Sequence, residues 1–145
     1  MFKHILIPTD GTAASSKAAR IAVEFARRCG AQVSALHVVE PLPVRSHHGG
    51  VATATEIDRI VATQQATALY LSHVEELARA VGVPCASAEI TDAVPSHAIV
   101  EFANRNGCDL IVMGTHGKHG LKRLILGSQT QNVLLTGHLP VLVCP

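Results

Sequence analysis

Residues 110–136 read LIVMGTHGKHGLKRLILGSQTQNVLLT: an aliphatic run, a glycine-rich stretch and a helix-like segment in direct succession. Leu110–Met113 is a short aliphatic run of the kind that forms a buried strand, and Gln129–Thr136 reads as a short helix. Between them glycine stands at 114, 117 and 120, then again at 127 with Ser128 directly after it. Glycine has no Cβ and reaches positive φ without penalty, so the backbone can turn sharply here and present its N–H groups. Amides exposed in a concave loop, followed by the open first turn of a helix, make an anion site. Lys118, His119, Lys122 and Arg123 add positive charge to the same segment. The pattern predicts a phosphate-holding loop. A connection that merely turns the chain needs neither the repeated glycines nor the basic side chains.

Upstream, strands and helices alternate. Lys3–Pro8 is a strand around Ile5-Leu6-Ile7, and Thr9–Thr12 is a turn. Ala13–Cys29 is a helix with Ala18, Ile21, Ala22, Phe25 and Ala26 on its apolar face, ended by Gly30. Gln32–Val39 is a second strand, followed by a Pro- and Gly-rich loop over 40–51 that holds the His47-His48 pair. Thr55–Val81 is a long amphipathic helix with Ile57, Ile60, Val61, Gln64, Ala68, Leu71, Val74, Ala78 and Val81 on one stripe, stopped by Gly82. Val83–Thr91 is a third strand. Pro95 opens a helix that turns Ile99, Phe102 and Ala103 inward and ends near Gly107. Val141–Cys144 is the fifth strand, after a helix closed by Gly137. This alternation predicts a doubly wound α/β domain, Rossmann-like, with a parallel five-stranded sheet covered by helices on both faces. No repeat, linker or low-complexity tract interrupts it, so residues 1–145 read as a single domain.

The totals exclude several function classes. With 48% apolar and 16% charged residues the chain has material for a real core. A net charge of +1 and an aromatic set of three Phe, one Tyr and no Trp speak against nucleic acid as a partner. No apolar run approaches the ~20 residues of a membrane span, and no signal peptide is visible. Cys29, Cys85, Cys108 and Cys144 are far apart with no CxxC pair, which predicts buried or half-buried free thiols and a reducing, cytoplasmic setting.

The glycine loop is neither of the two common phosphate loops. In place of GxxxxGK[ST], Gly117-Lys118 is followed by His119, and GxGxxG is absent. What stands here is G-x2-G-x9-G-S, formed by Gly114, Gly117, Gly127 and Ser128. This resembles the nucleotide-binding signature of the universal stress protein family. DLIVMGTHG, GSQTQNVL and PVLVCP resemble that family's last third, and ILIPTDGT its first strand and loop. One departure is Ala93-Val94-Pro95, where the family often has Gly-x-Pro.

The resemblance implies strand order 3-2-1-4-5, which sets strands one and four side by side where the order reverses. Ligands of open parallel sheets bind beyond the C-terminal strand ends at such a reversal. Thr9-Asp10-Gly11 and Gly114–Gly117 would then open into one crevice. By the same resemblance Pro8 and Thr9 wall an adenine base and Val38 packs on it, while Met113 is either core or base contact. Asp10 has two readings: a turn or capping carboxylate, or an acceptor for ribose hydroxyls and a ligand for a metal ion. Ser128 would cap the last helix and give a hydroxyl and an N–H to phosphate. Gln129 and Thr130 lie in that helix's first turn, where free N–H groups face the ligand. Lys118 supplies charge. His116 and His119 divide evenly between phosphate donors and surface residues, and His47-His48 reads as a solvated loop.

The expected ligand is an adenine nucleotide: ATP, or AMP or ADP, with Mg2+ or Mn2+. Catalysis calls for a general base or a nucleophile with an orienting partner. The loops show no such set and offer Asp10 alone, so a nucleotide-dependent binding module in stress response is the primary reading. A slow Mg-dependent ATP hydrolase is the second, and a stress protein that docks a partner without nucleotide the third. The resemblance also implies a homodimer through the C-terminal strand, plus a protein partner that the residues do not identify.

Overall fold

The computed structural model describes residues 1–43, 50–115 and 126–145. Nine elements alternate along them: β1 His4–Pro8, α1 Ala13–Cys29, β2 Gln32–Val39, α2 Ala54–Ala80, β3 Cys85–Thr91, α3 Pro95–Arg105, β4 Leu110–Gly114, α4 Ser128–Thr136 and β5 Val141–Cys144. The strands form one sheet in the order β3-β2-β1-β4-β5. Every neighbouring pair is parallel. The reversal falls between β1 and β4, as the resemblance implies.

β1 is central and has helices above and below, so it must be apolar on both sides. Ile5, Leu6 and Ile7 are fully buried accordingly. Alternation along each strand divides the core into two layers. Ile5, Ile7, Val33 and Val112 meet α1 and α2 through Ala18, Ala22, Val74 and Ala78. Leu6, Leu36, Ile111 and Met113 meet α3 and α4 through Ile99, Ala103 and Val133.

Two helices differ from the sequence reading in which side chains they bury. In α1 the buried stripe is Ala18, Ala19, Ala22, Val23 and Ala26, while Ile21 faces outward. Small residues bring the helix axis close to the sheet, and the larger Ile21 falls to the rim. In α2 only Thr67, Val74 and Ala78 are buried. Ile57, Ile60 and Val61 are 50%, 43% and 44% exposed, and Gln64 and Ala68 are exposed as well. The first half of α2 therefore carries an apolar stripe with no sheet beneath it. A capping box starts this helix: Thr53 Oγ1 accepts from Glu56 N, and the Glu56 carboxylate accepts from Thr53 N.

Smaller differences concern boundaries. β3 begins at Cys85 rather than Val83, and β4 extends through Gly114. α3 follows Pro95 and has no side-chain cap at Val94. Asp92 substitutes by accepting from Val94 N at 2.8 Å, and that hydrogen bond, helped by His97, holds its carboxyl below the usual range. All four cysteines are free thiols, two buried and two half-buried.

Candidate functional site

The expected crevice lies beyond the C-terminal ends of β1 and β4, where the strand order reverses, and the first segment there is the turn after β1. Thr9 N donates to Leu36 O at 2.8 Å, which carries the β1–β2 ladder one residue past the strand. Thr9 is itself buried. Asp10 Oδ1 then accepts from Thr12 N at 3.1 Å and from Thr12 Oγ1 at 2.6 Å. Thr12 Oγ1 in turn accepts from Ser15 N at 3.2 Å and caps α1. The turn role of Asp10 is thus present, and it uses one carboxylate oxygen. The second oxygen takes no part in this network.

Two side chains brace that turn which the sequence did not single out. His37, buried on β2, donates from Nδ1 to Thr9 O at 2.7 Å. Tyr70, from α2, meets the His37 ring edge-on with centroids 5.2 Å apart. Gly11 has φ +77°, and a Cβ placed on it would collide with the Cε1 edge of the Tyr70 ring. The TDG tripeptide signals a turn, but no local pattern tells which distant ring covers it.

The second segment is the end of β4. A Cβ on Gly114 would stand 2.9 Å from the carbonyl carbon and oxygen of Ala14, inside any tolerable contact. The missing side chain lets the first turn of α1 close onto β4, and this contact sets residues 9–14 against residue 114. Thr115 N donates to Cys144 O at 3.0 Å, and Gly127 N donates to Thr115 O at 2.5 Å. These two bonds hold Thr115 and Gly127 side by side at the end of β4. Beneath this junction the Cys144 thiol is buried, which pushes its pKa up.

The third segment is the start of α4. Gly127 is the N-cap and no side chain caps the helix, so the expected capping role of Ser128 gives way to an exposed position at the first helical residue. The first i→i−4 bond of this helix is Gln131 N to Gly127 O at 3.0 Å. The amides of residues 128–130 precede it and have no acceptor within the helix. The Gln129 side chain turns away, accepting from Ser96 N at 3.0 Å and so supporting the start of α3. Thr130 is buried and donates from Oγ1 to Gly114 O at 2.9 Å. Both side chains are structural ties, and what they can offer a ligand is their main chain.

Strand parity decides where the three residues expected to contact a base lie. Val38 and Met113 belong to the α3/α4 core layer, and Pro8 shares the parity of Leu6 in that layer. Pro8, Val38 and Met113 thus lie on one sheet face near the ends of the adjacent strands β1, β2 and β4. Gly117, Lys118, His116 and His119, with Lys122 and Arg123, lie outside the described residues, as does the His47-His48 pair.

The described residues provide little for covalent chemistry. Among them, no group of three His, Cys, Asp or Glu side chains stands close enough to hold a metal ion. A hydroxyl–imidazole contact exists between Ser34 Oγ and His4 Nε2 at 2.8 Å, with His4 Nδ1 donating to Asn106 O at 3.1 Å. It sits at the opposite end of the sheet on a buried serine, where it ties β1, β2 and the end of α3 together. Asp109 adds to this tie by accepting from Lys3 N and His4 N. Among the described residues no helix is long and apolar enough to cross a membrane.

Comparison with known proteins follows the same outline. The model of the universal stress protein family matches residues 1–145. Universal stress protein MJ0531 of Methanocaldococcus jannaschii is 38% identical over 145 residues, covering 99% of this chain and 82% of its own length. Among solved structures, the protein MJ0577 of the same archaeon superposes with a TM-score of 0.82 at 29% identity, covering 99% of this chain and 95% of its own. A universal stress protein solved in complex with cAMP superposes with a TM-score of 0.72 at 22% identity, covering 99% and 96%.

Proposed function

The chain belongs to the universal stress protein family, and from that premise and the crevice geometry we propose that it binds an adenine nucleotide. The observation that carries this reading is the forced approach at Gly114. It sets the β1–α1 turn against the end of β4 at the strand-order reversal, where Thr130 Oγ1 also ties the uncapped start of α4 to Gly114 O. Pro8, Val38 and Met113 offer the base an apolar floor, and Thr9 walls it. The α4 amides and the G-x2-G-x9-G-S loop, with Gly117 and Lys118, take the phosphates. Asp10 has a carboxylate oxygen left for a ribose hydroxyl or for a Mg2+ or Mn2+ ion carried by the nucleotide. A relative of this fold, solved with cAMP, fits the same ligand class.

ATP is the proposed form, with AMP or ADP as alternative ligands of the same floor. In this reading the protein is a cytoplasmic regulatory module in stress response whose nucleotide state alters its surface for a protein partner. Asp10 is the sole carboxylate of the described crevice, so hydrolysis is at most slow. Calorimetry with MgATP should show saturable binding to the wild-type chain, lost in Gly117→Val. Absence of heat from the wild type at sub-millimolar protein overturns the proposal.

A further inference from the structure

The chain has a single tyrosine, and it sits where α2 meets the turn after β1. We propose that α2 controls the nucleotide crevice through Tyr70: the ring, backed by His37, holds Thr9–Gly11 in the binding shape, so a shift of α2 changes nucleotide affinity. This inference rests on the reading of the crevice as an adenine-nucleotide site.

Three observations carry it. Gly11 and Tyr70 interlock, because the ring fills the place where a side chain at position 11 would stand, at a residue whose φ is +77°. His37 joins the two sides of that lock: it holds Thr9 O through a 2.7 Å hydrogen bond and receives the Tyr70 ring edge-on at 75°. Tyr70 also stands near the point where α2 changes character. Thr67, Val74 and Ala78 anchor the helix to the core, whereas Ile57, Ile60 and Val61 before them are exposed. Tyr70 thus stands in the anchored part of α2, beside the turn and next to the half of the helix whose apolar stripe is exposed.

Such coupling is reciprocal: if the position of α2 alters nucleotide affinity, nucleotide must steady α2 to the same extent. A purely structural Tyr70 would lower stability without linking the two.

Two measurements on the full chain test this. Calorimetry with MgATP should give a Kd raised about tenfold in Tyr70→Ala. Hydrogen exchange on the wild type should show slower exchange around residues 67–74 when MgATP is added. In Tyr70→Ala at saturating MgATP that slowing should vanish. A wild type that binds no MgATP overturns the nucleotide reading and this inference together. A wild type that binds, with the same Kd in Tyr70→Ala, overturns this inference alone. If Tyr70→Ala does not fold, the wild-type exchange experiment decides: α2 exchange unaltered by bound MgATP overturns the coupling.

Discussion

At Gly114 the absent side chain brings α1 within reach of β4, with Ala14 backbone atoms 2.9 Å from where a Cβ would stand. An alanine there must push the helix away or strain the strand, at about 1–3 kcal/mol, the range for overpacking a dense site. Gly114→Ala should therefore lower the urea midpoint and weaken MgATP binding together; an unchanged midpoint would mean that α1 can yield freely. Part of this residue-scale picture was legible in the sequence. The glycine spacing marks backbone that must pass close to something, and Asp10 before Thr12 suggests its own turn. The assignments of Gln129 to Ser96 and of Thr130 to Gly114 O were not legible. A polar side chain in a first helical turn has several acceptors and donors in reach, and only the approach of α3 and β4 selects among them.

At the scale of elements, α2 separates what periodicity determines from what it does not. An apolar residue every three to four positions establishes a helix with one oily side. It does not say how many turns of that side have a sheet below. The sheet supports α2 at Thr67, Val74 and Ala78, so the stripe at Ile57, Ile60 and Val61 extends past it into solvent. The two halves should respond differently to substitution. Val74→Ala leaves a cavity in the core and should cost about 2 kcal/mol of stability. Ile60→Ser should stay within about 0.5 kcal/mol of wild type, as surface changes do. Chemical denaturation of both variants checks the contrast, and equal losses would mean that the first half of α2 is packed after all.

At the scale of the whole molecule the sheet has two edges among the described residues, β3 and β5, each paired there on one side. β3 carries the exposed charge of Glu89 and follows Pro84, features that discourage pairing with another strand. β5 is uncharged, exposes Leu142 by 37%, and has the 75% exposed Leu135 of α4 on the same chain segment. We propose β5 as the homodimer edge. Leu142→Lys should shift the molecule to monomer by light scattering, whereas Glu89→Lys should not; a dimer retained in Leu142→Lys would refute this edge. Local pattern alone was enough for the alternation of strands and helices, the parallel sheet, and the turn at Asp10. These follow from local periodicity and from glycine's freedom, both of which are written along the chain. Only the tertiary structure decided which half of α2 is buried, that Tyr70 and His37 brace the turn after β1, and that the side chains of Gln129 and Thr130 face the protein. Those outcomes depend on how far the sheet extends beneath each helix and on which distant groups the packed layers bring into contact, and no local pattern encodes either.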